Sequence, residues 1–248
     1  MLPRRIRRHS NRMDFIYWRH ITPVGVKVEE ISGGEDRSQA VRIAMARQIY
    51  CENGRDGQYR SLLHLQSGAP LLENEETRIS ITHTPGLYAV ASLPKTPDAD
   101  LTQFATRTAL GIDAERADRE QALRVRERFL SDEELALVDD DLERTIIAWT
   151  AKEALYKAAL APGTDWRRCL RIISLPALDR ADEPTPVGAH HGAPAAGTSA
   201  AGRKVPIGKA ELRIEGREVC PMELYSYRSG DHIITLAYSP GCAKYKKG

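Results

Sequence analysis

The sequence predicts an α+β fold, and three observations carry that expectation, the third of which also fits a chain of two similar halves. Strand-like alternation lies towards both ends of the chain, helical spacing is concentrated at 119–160, and one strand pattern occurs twice. The repeated pattern is a turn glycine followed by an apolar strand that ends in small residues. It reads Gly86-Leu-Tyr-Ala-Val-Ala-Ser in the first half and Gly230-Asp-His-Ile-Ile-Thr-Leu-Ala-Tyr-Ser in the second. The expected organisation is a basic arm over 1–12, an N-terminal subdomain over 13–108 and a C-terminal subdomain over 109–248.

In chain order, Phe15–Trp18 and Val24–Val28 read as strands. Ser38–Tyr50 reads as a first helix, because Val41, Ala44, Met45 and Ile49 recur at helical spacing. Asn53-Gly54 and Asp56-Gly57 mark turns. Ile79–Thr82 and Leu87–Leu93 are the expected strands of a hairpin around Thr84-Pro85-Gly86. A polar segment over 94–103 leads to a strand at Ala109–Ile112. Arg119–Phe129 reads as one helix, and Ser131 with Glu134 three residues on is a capping-box signature for the next. Arg144–Leu160, rich in Ala, Leu, Lys and Glu, is a helix that stops before Pro162-Gly163. The tail returns to strands at Leu170–Leu175, Ala210–Ile214, Glu223–Tyr227 and Ile233–Tyr238. Between the first two of these lies Arg180–Gly202, where 14 of 23 residues are Ala, Gly or Pro. Almost nothing there is large enough to bury, so 180–202 reads as a mobile surface insertion, with His190-His191 solvated rather than metal-binding.

Composition excludes several classes. A chain of 248 residues, 42% hydrophobic and 28% charged, is an ordinary globular composition and not that of a disordered, fibrous or membrane-spanning protein. At this length folding hides roughly 70–75% of the unfolded surface, so no disulfide or metal staple is required. The net charge of +2 gives no bulk argument for nucleic acid. No apolar stretch approaches the ~20 residues of a membrane helix. The opening MLPRRIRRHSNR is basic with no apolar region behind it, which argues against a secretory signal, and Met13 is an alternative start. Cys51, Cys169, Cys220 and Cys242 include no C-x-x-C pair. They read as reduced, mostly buried thiols of a cytoplasmic protein.

Three clusters could carry chemistry. In Gly111-Ile112-Asp113-Ala114-Glu115, strand alternation sends Asp113 and Glu115 to one face and Ile112 and Ala114 to the core. Paired carboxylates repel unless a cation lies between them or one is protonated, and oxygen ligands of this kind suit Mg²⁺. The same five residues also read as a strand running into an acidic turn. In Trp149-Thr150-Ala151-Lys152-Glu153-Ala154-Leu155-Tyr156-Lys157, Glu153 and Lys157 share a helix face with Trp149 one turn earlier. They form either a surface ion pair or part of a metal–phosphate site. In Ile79-Ser80-Ile81-Thr82-His83-Thr84, Ser80 and Thr82 share the face opposite the isoleucines and His83 ends the strand. This histidine serves either a phosphate or a turn.

In order and spacing, the three clusters resemble the 4′-phosphopantetheinyl transferases, of the longer surfactin-synthetase-activating type. The resemblance runs over about 69–160. It rests on Gly68-Ala69-Pro70-Leu71-Leu72 as a G-x-P-x-L segment, Thr82-His83-Thr84 in place of an S-H-S, and GIDAE at 111–115. The most specific part is W-x-x-K-E-A-x-x-K at 149–157. It implies a pseudo-duplicated chain with the active site where two α/β subdomains meet. The implied reaction transfers the phosphopantetheine arm of coenzyme A to a serine of an apo acyl or peptidyl carrier protein, with Mg²⁺ or Mn²⁺, in a monomer that needs neither nucleic acid nor membrane. Asp113, Glu115 and Glu153 match the metal carboxylates, and Glu153 also matches the residue proposed to help deprotonate the serine. Lys157 matches a coenzyme A phosphate contact, with Lys152 beside it in the motif. Thr82 and His83 match the nucleotide-binding pair, and Arg37 and Arg47 approximate its basic cluster. Ala69 stands where the family usually has lysine, and Thr82 where it has serine.

Two other readings share these residues: a carrier-binding homologue without turnover, and a metal-dependent nuclease using the basic arm. The segment with Arg116, Arg119, Arg124, Arg126, Arg128, Phe129 and Leu130 reads either as a docking face for an acidic carrier or as a solvated mixed-charge helix.

Overall fold

The computed structural model describes residues 14–18, 26–32, 62–64, 68–72, 77–94, 108–179 and 207–239. The arm over 1–12, the helix expected at Ser38–Tyr50, the turns at 53–57 and the insertion over 180–202 lie outside these residues. So do Arg37 and Arg47.

Strands β1 (Asp14–Trp18), β2 (Lys27–Ser32), β3 (Leu62–His64), β4 (Pro70–Leu72), β5 (Thr77–Thr84) and β6 (Leu87–Pro94) form the first half. The first sheet runs β1-β2-β6-β5, all antiparallel, and β3 pairs with β4 alone. Gly86 closes the β5–β6 hairpin at φ +84, a conformation glycine adopts without steric cost. The second sheet contains β7 (Ala109–Arg116), β8 (Leu170–Ser174), β9 (Leu178–Asp179), β10 (Gly208–Leu212), β11 (Cys220–Ser229) and β12 (His232–Ser239). Its order is β7-β12-β11-β10-β8, with β9 lying parallel against β11. Mixed helices and largely antiparallel sheets make this an α+β protein.

Between β7 and β8 lie α1 (Gln121–Val125), a 3₁₀ turn (Arg126–Arg128), α2 (Asp132–Val138), α3 (Leu142–Ala159) and α4 (Trp166–Cys169). The single helix expected over 119–129 is therefore broken. Its start has no side-chain cap and α1 buries only Ala122, too little to propagate a helix; the chain tightens at Arg126 and delivers Phe129 and Leu130 to the core. The capping box is present: Ser131 Oγ accepts from Glu134 N, and Glu134 Oε2 accepts from Ser131 N at 2.8 Å. Helix α3 begins two residues before the expected position because Asp141 caps it, accepting from Arg144 N at 2.8 Å.

Three layers result. One face of the second sheet, with Ile112, Ala114, Tyr225 and Leu236, packs on Val28, Ala89 and Ala91 of the first. Its other face receives α3 through Ala151, Ala154, Leu155 and Ala158. A glycine sets how close α3 lies. A Cβ on Gly111 would sit 1.9 Å from the Ala154 carbonyl oxygen, so any other residue would push the helix off the strand. Beneath α3, Lys152 is completely buried. Its ammonium donates to Glu134 Oε1 at 2.7 Å, to the Trp166 carbonyl at 2.9 Å and to the Leu170 carbonyl. Glu134 Oε1 also accepts from Ile172 N at 2.7 Å, so one buried ion pair joins α2, α3 and β8.

Cys220 is disulfide-bonded, against the expectation of reduced thiols; only Cys169 is free among the described cysteines. Among the described residues, no helix is long and apolar enough to cross a membrane.

Glu30 links the two sheets. It lies fully buried on β2, where Ser229 Oγ of β11 donates to its Oε2 at 2.6 Å. Burial pushes its carboxyl up to about 7, with Ser229 and Tyr227 pulling the other way. Unfolded, the same carboxyl ionises near 4.5. As pH rises from 4.5 to 7 the unfolded chain releases this proton first, so stability falls through that window, by about 3 kcal/mol in total. Glu30→Gln keeps an acceptor for Ser229 and abolishes the titration. Urea unfolding should therefore show the variant gaining on the wild type between pH 5 and pH 8. A difference that stays constant with pH would show that Glu30 does not titrate in this window.

Candidate active site

The site forms where two sheet edges meet beneath a helix. Strand β7 is an edge of the second sheet, so its outward N–H groups need partners that β12 cannot supply. Strand β5, an edge of the first sheet, provides them from side chains. Ser80 Oγ accepts from Ile112 N at 3.0 Å, and Thr82 Oγ1 accepts from Ala114 N at 3.2 Å. Thr82 Oγ1 in turn donates to Asp113 Oδ1 at 2.9 Å.

Asp113 and Glu115 stand on the face of β7 that Gly111 opens to α3, as the alternation predicts, and both are buried. Lys157, from the last turn of α3, donates to Asp113 Oδ1 at 2.7 Å and to the Ile112 carbonyl at 2.9 Å. The ammonium thus reaches across to the strand. Burial pushes Asp113 up, while Lys157 and Thr82 pull it down. Glu115 is held at both oxygens: Oε1 accepts from Arg116 N at 2.8 Å, and Oε2 is paired with Arg119. The Arg119 guanidinium also lies 5.8 Å from the Trp149 ring centre, within cation–π range.

Glu153 lies half-buried on α3 and feels both strand carboxylates. Desolvation, then Asp113, then Glu115 push it up to about 7, against the pull of Lys157. The three carboxylates therefore share one electrostatic environment. Among the described residues, however, no three His, Cys, Asp or Glu side chains are grouped closely enough to hold a metal. The donor chemistry suits a hard divalent cation, being all oxygen and mutually repulsive. In this arrangement Lys157 and Arg119 do the neutralising.

Two candidates have other work. Lys152 carried the expectation of coenzyme A contact, but its three ammonium protons are spent on Glu134 and two carbonyls inside the core. It anchors α3. Thr82, expected at the nucleotide, is buried, and its hydroxyl is spent on the strand seam and on Asp113. His83, at the end of β5, is exposed, its ring centre 6.2 Å from that of Tyr88. Phe129 and Leu130 are buried, Phe129 meeting Trp149 edge-on at 4.9 Å, so neither forms part of an exposed docking face. The backbone partnering by Ser80, the ion pair that Glu134 makes with Lys152 beyond its capping role, and the contact of Arg119 with Glu115 are not legible in the sequence. The alternation of Ser80 with Thr82 was the one available signal.

Residues 109–191 match the 4′-phosphopantetheinyl transferase superfamily. The matched segment, about a third of the chain, contains Asp113, Glu115, Lys152, Glu153 and Lys157, whereas Thr82 and His83 precede it. No curated protein matches the chain.

The buried pair gives a direct test of the role assigned to Lys152. Lys152→Met strands Glu134 without its cation, which costs about 3–5 kcal/mol for a buried pair. Thermal unfolding should show a large drop, with no change in coenzyme A affinity of the folded fraction. A stable variant with weakened coenzyme A binding would return Lys152 to the ligand site.

Proposed function

We propose that this chain transfers the 4′-phosphopantetheine arm of coenzyme A to a serine hydroxyl of an apo acyl or peptidyl carrier protein. The observation that carries the reading is the convergence of Asp113, Glu115, Glu153 and Lys157 at the β7–α3 contact, inside the segment that matches the superfamily. The serine oxygen attacks the phosphorus that bears pantetheine. A new P–O bond forms there, the diphosphate P–O bond breaks, and adenosine 3′,5′-bisphosphate leaves with the electron pair.

Each residue has a distinct part. Glu153, on the helix facing the strand carboxylates, takes the serine proton. Lys157 holds Asp113 and, with a third proton unspent on Asp113 and Ile112, is placed to bind a phosphate oxygen. Asp113 is oriented by Thr82, so the β5 seam fixes the strand carboxylate before any ligand arrives. Asp113, Glu115 and Glu153 would hold a divalent cation, Mg²⁺ or Mn²⁺, which when bound supplies charge neutralisation at the diphosphate. His83, exposed at the strand end, is assigned to the 3′-phosphate of coenzyme A. The longer, pseudo-duplicated type of transferase fits the two-sheet arrangement, with a monomeric cytoplasmic protein as the working form.

Incubating the protein with apo carrier protein, coenzyme A and Mg²⁺ should raise the carrier's mass by one phosphopantetheine. Asp113→Ala should abolish that gain while circular dichroism stays native; wild-type turnover in this variant at saturating Mg²⁺ would overturn the assignment.

The nucleotide end is tested separately. His83→Ala should raise KM for coenzyme A severalfold and leave dephospho-coenzyme A, which lacks the 3′-phosphate, nearly unchanged. Equal losses on both substrates would make His83 structural.

A further inference from the structure

Arg119 holds a position that the proposed reaction does not explain. It lies just past the end of β7, half-exposed, and its guanidinium pairs with Glu115 Oε2 while resting over Trp149. Glu115 Oε1 is already taken by the Arg116 backbone N–H. Every oxygen of this carboxylate therefore has a donor from the protein itself. Asp113 is held at one oxygen, with Oδ1 shared between Lys157 and Thr82. The described carboxylates, although electrostatically coupled, are not grouped for a metal.

We propose that Arg119 is a built-in counter-ion for Glu115, and that a divalent cation binds by displacing it. This rests on the assignment of Glu115 as a metal ligand. Partly buried carboxylates that feel one another's charge repel, so with no metal between them something else must carry positive charge. Lys157 does so for Asp113 from within the helix. Arg119 does so for Glu115 from the rim. The two differ in how easily they yield. Lys157 is also bound to the Ile112 carbonyl, whereas Arg119 is 44% exposed and gives up a single ion pair to water. Trp149 offers the guanidinium an aromatic face beside its partner, so the side chain can leave Glu115 and still rest on the indole. Arg119 is thus a positioning residue that sets metal affinity through Glu115, and it makes no contact with substrate.

Competition of this kind has a definite sign. Removing the competitor should tighten metal binding, the opposite of what loss of a ligand or of structural support would do. Mn²⁺ binding to the full chain, followed by the loss of the free-ion electron paramagnetic resonance signal, reads this without turnover. Arg119→Ala and Arg119→Gln should each bind Mn²⁺ about tenfold more tightly than the wild type. The Gln variant keeps much of the side-chain stem, so agreement between the two separates charge from packing. Unchanged or weaker Mn²⁺ affinity in both variants overturns the proposal. Carrier modification by the wild type is measured alongside. If the wild type modifies the carrier but the variants bind Mn²⁺ as it does, the counter-ion role fails and the transferase reading stands. If the variants bind more tightly but no carrier is modified, the counter-ion role stands and the transferase reading fails. Absence of Mn²⁺ binding by all three proteins overturns both.

Discussion

The arrangement depends first on how closely α3 approaches β7. Gly111 lets the Ala154 carbonyl come to where a side chain would otherwise stand. The small residues Ala151, Ala154 and Ala158 keep the helix surface low along the same contact. Only at that separation does the Lys157 side chain span from helix to strand and reach both Asp113 and the Ile112 carbonyl. A methyl at 111 would have to displace helix backbone, since the clash is with a carbonyl and its neighbours rather than a flexible side chain. The glycine of the strand motif and the alanine of the helix motif are therefore two sides of one packing contact. Their spacing is as much a part of the site as the charged residues between them.

The second constraint is the seam between sheets. Two sheet edges left side by side would expose unpaired N–H groups, which cost about 1–3 kcal/mol each when buried. Here Ser80 and Thr82 act as strand partners through their hydroxyls, and the same threonine orients Asp113. Satisfying the backbone and aiming a site carboxylate are thus a single act. The hydroxyl is retained in Thr82, so its stiff branched side chain, a departure from serine, fits a position whose rotamer must not wander. Glu30 crosses elsewhere between the same two sheets, holding Ser229 of β11 from β2.

Much of this was legible in the chain. Strand alternation put Asp113 and Glu115 on one face, and the Ser131–Glu134 capping box is a local signal that survives any context, whereas the Asp141 cap that starts the helix two residues ahead of its expected position is seen only in the structure. Strand β7 extends four residues past the apolar run because Asp113 and Glu115 are paired in register with Thr235 and Ile233; hydropathy alone stops at Ile112. What could not be read is which polar side chains spend their donors internally. Lys152 and Lys157 sit in one motif and look equivalent as letters. One points beneath α3 to a glutamate 18 residues earlier, the other across to β7, 44 residues away. The short pairs β3–β4 and the strand β9 also escaped notice, since two or three residues carry no period. Charge and spacing over 116–130 fit a docking face and a solvated mixed-charge helix alike, and neither reading shows Phe129 and Leu130 buried. The break at Arg126 is what turns them inward.

The charge balance at the site follows from its burial. Three carboxylates near one another in a partly dry setting must be offset, and the chain uses a different means for each. Asp113 has an ammonium fixed from the helix, Glu115 a guanidinium from the rim, and Glu153 an affinity for protons raised to about 7 by burial and its two neighbours. These offsets are unequal in permanence. A lysine tied to a main-chain carbonyl stays, an exposed arginine can leave, and a proton exchanges with solvent. A doubly charged ligand entering such a site would take the place of the two weaker offsets and leave the strong one, so that Lys157 remains on Asp113 with a donor still unspent. The site therefore changes its charge where an anionic group would approach, while the contact between α3 and β7 that Gly111 sets remains undisturbed.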